Sequence, residues 1–184
     1  MADAARLFIS VDIPVTDAMH GLLSDLRGMR NVRASPEGQI HITLSFLGDT
    51  DVSAVPRLVK GLHDALSGTD AFDMSLRGVG GFPNLNRPRV IWVGIDEGKD
   101  ELAHVADLVR GAVRDARLRQ DDKPFSPHVT AARVQGPCGV AAVAERYKGT
   151  LFCECHVDSV RLMKSVLGPN GAKHTVLERF PLGE

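Results

Sequence analysis

Cysteine is scarce. Cys138, Cys153 and Cys155 are the only three in 184 residues, too few for a disulfide framework. No apolar run approaches the roughly 20 residues of a membrane-spanning helix. Net charge is nearly absent too. The formal value of -1 excludes a protein that coats nucleic acid by bulk electrostatics, while leaving room for a pocket that takes one RNA end. Met1–Val15 carries Asp3 and Asp12 and lacks a basic stretch followed by a long apolar one, so it does not read as a secretory leader. The expected setting is reducing and cytoplasmic. What remains is 43% hydrophobic and 24% charged, an ordinary globular balance with enough chain to bury a core. One domain, or two small lobes sharing a core, is the expectation for residues 1–184.

Hydrophobic periodicity divides the chain into mixed strands and helices. Arg6–Ile13 and Ile40–Leu47 are apolar runs that predict buried strands. Thr16 or Asp17 is placed to cap a helix carrying Met19, Leu22, Leu23 and Leu26, and Ser53 to cap one carrying Leu58, Leu62 and Leu66. Gly28–Gly38 reads as a loop. Phe72–Val79 and Arg89–Ile95 flank a turn, as partner strands. Asp100–Leu118 is helical, and His128–Val134 is a strand. Val140–Tyr147 is a short helix. Leu151–Val166 is too long for one straight strand and predicts a bend. His174–Leu182 closes the chain as a strand. This order favours an α+β fold with mostly antiparallel sheets over a doubly wound parallel one. The GVGG stretch from Gly78 lacks the GxGxxG spacing and runs into Pro83 and Asn84, so it is not a dinucleotide fingerprint.

Two segments share a pattern. His41-Ile42-Thr43 and His128-Val129-Thr130 lie 87 residues apart, each in a short apolar strand. Strand side chains alternate, so each His shares a face with its Thr, about 7 Å away, opposite the apolar face. Seven His and seven Thr produce about 0.27 such triplets by chance, so a matched pair in matched strands points to a duplicated unit. Two imidazoles of ordinary pKa near 6.5 supply a general base and a general acid at neutral pH. Two Thr hydroxyls donate to anionic oxygens without adding charge. The set suits in-line attack on a phosphodiester. No carboxylate cluster accompanies either motif, so this chemistry calls for no metal and no cofactor.

On these residues the chain resembles the 2H phosphoesterase superfamily, and within it the RNA 2',3'-cyclic phosphodiesterases, also described as 2'-5' RNA ligases. The resemblance covers nearly the whole chain: RLFISVDIP, HITLSFLG, GFPNLNRPRVIWVGI, KPFSPHVTAARV and SVRLMKSVLGPNGAKHTVLERFPL occur in family order. It implies two pseudo-symmetric lobes of mostly antiparallel sheet with flanking helices around a central cleft. It implies hydrolysis of a 2',3'-cyclic phosphate on an RNA end or nucleotide to a 2'-phosphomonoester; a monomer is the expected state. Carried over, His41 is the general acid, His128 the general base, and Thr43 and Thr130 hold the phosphate. In cleavage of a 2'-5' linkage, the reverse of ligation, the two histidines exchange roles. Phe46 and Arg133, each five residues beyond its His, match nucleotide-contacting positions. Strict alternation points both away from the catalytic face, so each reaches a nucleotide only across a strand end or bulge. Lys123 and Phe125, in the loop before the second motif, are candidates for the cleft mouth. Many relatives carry a bulky residue where this chain has Val32-Arg33-Ala34-Ser35, which leaves the shape of that cleft wall open.

Other signals are weaker. Cys153-x-Cys155-His156 with Cys138 lacks the paired spacing of a structural zinc site and reads as strand thiols. His174-Thr175 places its two side chains on opposite faces and does not repeat the motif. His20, His63 and His104 fall on helix surfaces. Arg87 and Arg89 flank a turn. Two alternatives share the leading reading's residues: a reversible 2'-5' RNA ligase acting on RNA halves, and a non-catalytic module that binds RNA ends or nucleotides.

Overall fold

The opening apolar run becomes β1 (Ala4–Asp12) in the computed structural model, which describes residues 2–183. Met1 and Glu184, the ends of the expected unit, lie outside the described residues. The chain continues through α1 (Asp17–Arg27), β2 (Val32–Ala34), β3 (His41–Asp51), α2 (Val55–Leu66), β4 (Phe72–Phe82), β5 (Val90–Ile95) and α3 (Lys99–Asp115). It ends with β6 (Val129–Val134), α4 (Ala141–Arg146), β7 (Leu151–Val157), β8 (Ser159–Gly168) and β9 (Gly171–Pro181).

These strands form two sheets, ordered β3-β1-β8-β9 and β2-β6-β5-β4-β7. Every pairing is antiparallel, as the mixed order of elements predicts. The first sheet joins strands from both ends of the chain. The second uses the middle. The long segment from Leu151 breaks at Asp158, and its halves enter different sheets as β7 and β8. A bend is therefore too mild a description: the break is a crossing between sheets.

Three helices bury one face each, as their spacing predicts. α1 buries Met19, Leu22, Leu23 and Leu26 and packs on β2, β6 and β7. α2 buries Leu58, Leu62 and Leu66 against α3 and β9. α3 buries Leu102, Val105, Ala106, Val109, Ala112 and Val113. Residues from both sheets and all three helices belong to one apolar core. Truncating a fully buried leucine there, such as Leu22 or Leu58, costs about 2–5 kcal/mol.

Thr16 caps α1: its hydroxyl accepts from the Met19 N–H and donates to the Phe152 carbonyl of β7, so the cap also anchors helix to sheet. Ser53 does not cap α2. Val52–Ala54 forms a 3-10 turn, and the Asp51 carboxylate accepts from the Ser53 N–H at 2.9 Å. α2 then begins with Pro56 in its first turn and no side-chain cap, where a missing N–H costs nothing. β2, inside the expected loop, is three residues long and exists by pairing with β6.

Candidate active site

His41 opens β3 and stands opposite Asp12 of β1. Thr43 stands opposite Ser10, and Phe46 opposite Phe8. Asp12, Ser10 and Phe8 alternate regularly along β1 and share one face. Two residues separate Thr43 from Phe46 but only one separates their partners, so β3 carries an extra residue between Thr43 and Ser45. This bulge at Leu44 returns Phe46 to the face of His41 and Thr43. Burial agrees: Ile42, Leu44 and Ser45 are buried, whereas Thr43 and Phe46 are exposed.

The second motif repeats this. Thr130 stands opposite Trp92 and Arg133 opposite Val90, with an extra residue in β6 between Ile91's partner Ala132 and Thr130. The bulge at Ala131 brings Arg133 to the face of Thr130, while Val129, Ala131 and Ala132 are buried. Both strands thus break their alternation at the third residue after the histidine, turning the fifth residue inward.

The histidines are held alike. His41 donates from Nδ1 to the Gln39 carbonyl at 2.6 Å, and His128 from Nδ1 to the Ser126 carbonyl at 2.7 Å. A carbonyl only accepts, so in each neutral ring the proton sits on Nδ1 and Nε2 keeps its lone pair. The Nε2 of His41 lies 3.0 Å from the Thr43 hydroxyl. Each imidazole also meets a phenyl ring at a centroid distance of 5.1 Å: Phe8 for His41 and Phe82 for His128. Burial depresses the His41 pKa below its ordinary value. The Gln39 carbonyl opposes this, the His174 and Arg161 charges add to it, and Asp12 opposes it.

Three neighbours of His41 carried no sequence signal. His174 of β9 sets its ring 5.6 Å from His41 and 4.8 Å from Phe8, and burial lowers its pKa also. Asp12 supplies a single carboxylate beside the motif and pairs with Arg161 at 2.6 Å. Among the described residues, the buried side-chain polar atoms without a protein partner are Ser10 Oγ, Trp92 Nε1 and Arg161 Nε. Two of them border the threonines, Ser10 opposite Thr43 and Trp92 opposite Thr130, and Arg161 lies one strand further on, opposite Ser10. Buried polar groups are ordinarily satisfied, so the exceptions concentrate where a polar ligand would sit.

The two sheets meet at this site. β3 packs on β6, and the loop leading to His128 is tied to β3: the Asp121 N–H donates to the Phe46 carbonyl at 3.1 Å and the Ser45 hydroxyl to Gln120 at 2.8 Å. Lys123 is exposed, its carbonyl taken by Arg110, and Phe125 packs on the core margin. Arg87 and Arg89 line a groove of about 870 Å³ with Val134–Gly139, and neither histidine borders it. Cys153 is buried and Cys155 half-buried. His156 turns to Asp73 at 2.7 Å. Among the described residues, no helix is long and apolar enough to cross a membrane.

The family model of the 2'-5' RNA ligase superfamily matches residues 17–169, which include both His-x-Thr strands. The chain belongs to the 2'-5' RNA ligase superfamily. Superfamily relatives span nearly all of it. An RNA 2',3'-cyclic phosphodiesterase of Archaeoglobus fulgidus is 33% identical over 178 residues, covering 95% of this chain and 99% of the relative. One from Thermus thermophilus is 34% identical over 186 residues, covering 96% and 90%. The crystal structure of TT0787 of Thermus thermophilus aligns with TM-score 0.79 at 33% identity, over 96% of this chain and 97% of that one. Escherichia coli LigT complexed with 3'-AMP aligns with TM-score 0.81 at 21% identity, over 99% and 100%, a likeness of fold.

Proposed function

We propose that this chain is a hydrolase converting a 2',3'-cyclic phosphate at an RNA 3' end, or on a nucleotide, to a 2'-phosphomonoester. The observation that carries this reading is the doubled site: two strands of one superfamily chain, each presenting a His with Nδ1 donating to a carbonyl, a Thr on the same face, and a bulge after the Thr.

In this reading His128 takes a proton from water, whose oxygen attacks phosphorus. His41 gives a proton to the 3' oxygen as the phosphorus–oxygen bond to it breaks. The products are a 3' hydroxyl and a 2'-phosphate. Thr43 and Thr130 donate to the non-bridging oxygens, where charge accumulates. Phe46 stacks on the terminal base and Arg133 reaches the nucleotide. Lys123 and Phe125 belong to the mouth. Residues 1–184 act as one domain of two pseudo-symmetric lobes, a cytoplasmic monomer.

The test is turnover of a nucleoside 2',3'-cyclic phosphate in EDTA, with products resolved into 2'- and 3'-phosphates. Exclusive 2'-phosphate from the wild type, lost in His41→Ala and His128→Ala, is expected. Turnover unchanged in both variants would defeat the reading. The family model's description favours a second activity, ligation of RNA halves bearing a cyclic phosphate and a 5' hydroxyl. There the 5' hydroxyl replaces water as the nucleophile on the same phosphorus and the 3' oxygen again leaves, with the same residues, and a ligation assay on such halves tests it.

A further inference from the structure

Arg33 of β2 stands directly opposite Arg133 of β6. Residues so placed share a face, with Cβ atoms about 5 Å apart, and like charges there repel. Both side chains are exposed. Among the described residues neither forms an ion pair with a carboxylate, although five other arginines do. The fold therefore sets two arginines at facing register positions, neither ion-paired with an acid.

The face is that of the site. Arg133 and Thr130 oppose Val90 and Trp92, two residues apart in β5, so the arginine pair lies about 7 Å along the sheet from Thr130. Arg33 is also aimed. Its Nη2 donates to the Asn170 carbonyl at 3.1 Å, in the turn between β8 and β9. Gly171 lies beneath it: a Cβ at Gly171, whose φ is +109°, would come within 2.6 Å of Nη2. Glycine thus permits both the backbone and the guanidinium's approach. The Asn170 carbonyl takes one of five N–H groups, and Arg33 is held where the two sheets adjoin.

We infer that Arg33 and Arg133 form an anion subsite for the phosphodiester preceding the terminal nucleotide, so that an oligonucleotide ending in a cyclic phosphate is preferred to a mononucleotide. This rests on the hydrolase reading above. A cyclic phosphate held by Thr43 and Thr130 is the last phosphate of its strand, so the next one lies on the 5' side. Paired planar guanidinium forks match phosphate oxygens, and a phosphate would relieve their mutual repulsion. Two arginines that merely splay into solvent would give no preference for a longer strand.

The experiment compares kcat/KM for a nucleoside 2',3'-cyclic phosphate and for a dinucleotide with the same terminal group. The wild type is expected to favour the dinucleotide. In Arg33→Gln the loss on the dinucleotide exceeds that on the mononucleotide by about tenfold, and the dinucleotide's log–log salt slope falls by about one. Arg33→Lys keeps the charge and restores most of the preference, which separates lost contact from lost fold. Equal losses on both substrates, or no wild-type preference, would overturn the subsite. Titration with a dinucleotide and a mononucleotide, each ending in a 2'-phosphate, needs no turnover. Arg33-dependent preference in binding without hydrolysis would defeat the hydrolase reading and leave the subsite standing.

Discussion

His174 lies edge-on to His41, their ring centroids 5.6 Å apart and their planes at 76°. The residues are distant in sequence, and their strands are not neighbours in the sheet, where β1 and β8 intervene. Both rings rest on Phe8, whose curled sheet brings them together. Two imidazoles this close resist carrying two protons at once. His174 therefore adjusts the proton affinity of His41.

Burial, the His174 charge and the Arg161 charge lower the His41 pKa, against the Gln39 carbonyl and Asp12. A general acid must carry its proton, so in the free enzyme the alkaline limb of kcat/KM falls below the ordinary histidine value of about 6.5. His174→Phe keeps a ring on Phe8 and removes the charge. His41 then titrates higher, and the pH–rate profile shows its alkaline limb moving to higher pH. Movement of the acidic limb instead would make His41 the base.

His41→Asn and His128→Asn should each lower kcat by about 10²- to 10⁴-fold, the usual worth of one positioned proton donor or acceptor. Each variant should also lose one limb of the pH profile. A variant that keeps both limbs would remove that histidine from the chemistry.

Phe46→Ala should raise KM with a smaller effect on kcat. Stacking on one base is worth about 1–3 kcal/mol, so about a tenfold rise is expected with a nucleotide substrate. Phe46 is 37% exposed, and the Arg6 guanidinium sits 5.0 Å from its ring centre, so the core loses little. Equal stability by urea unfolding checks that the effect is one of binding.

Trp92, the only tryptophan, stands opposite Thr130. Its emission should change on titration with a nucleoside 2'-phosphate and report binding at the second motif. Gly80→Ala should abolish that report and destabilise the fold, because a Cβ there would lie 2.1 Å from the indole. Unchanged emission at saturation would place the ligand away from Thr130.

Tyr147 donates to Asp25 at 2.5 Å, joining the end of α4 to α1. This bond, with Arg146, holds the Asp25 pKa below its ordinary value against burial. Burial, then Asp25, pushes Tyr147 up to about 12. The folded state thus favours the carboxylate, a contribution full above the ordinary carboxylate pKa and lost as pH falls through the Asp25 value. Tyr147→Phe should cost about 1 kcal/mol or less at neutral pH, because Asp25 remains partly exposed. Urea unfolding should show the difference shrinking in acid.

Much of this was legible locally. Alternation in IHITLSFL and HVTAARV separates the faces of His41, Thr43, His128 and Thr130 from their apolar sides, because a strand's period of two belongs to consecutive residues. Helix faces and the Thr16 cap are local for the same reason. β2 was not legible, since three residues cannot display a period. The bulges at Leu44 and Ala131 have no mark of their own. Each is an extra residue counted only against β1 or β5, and that count decides whether Phe46 and Arg133 face the site or leave it. The pairing of His41 with His174 and of Arg33 with Arg133 also joins residues from separate parts of the chain. The sequence by itself determined which side chains could do acid–base work on a phosphate. Only the tertiary structure decided which others stand beside them, because strand register and sheet order are set by hydrogen bonding between segments far apart in the chain.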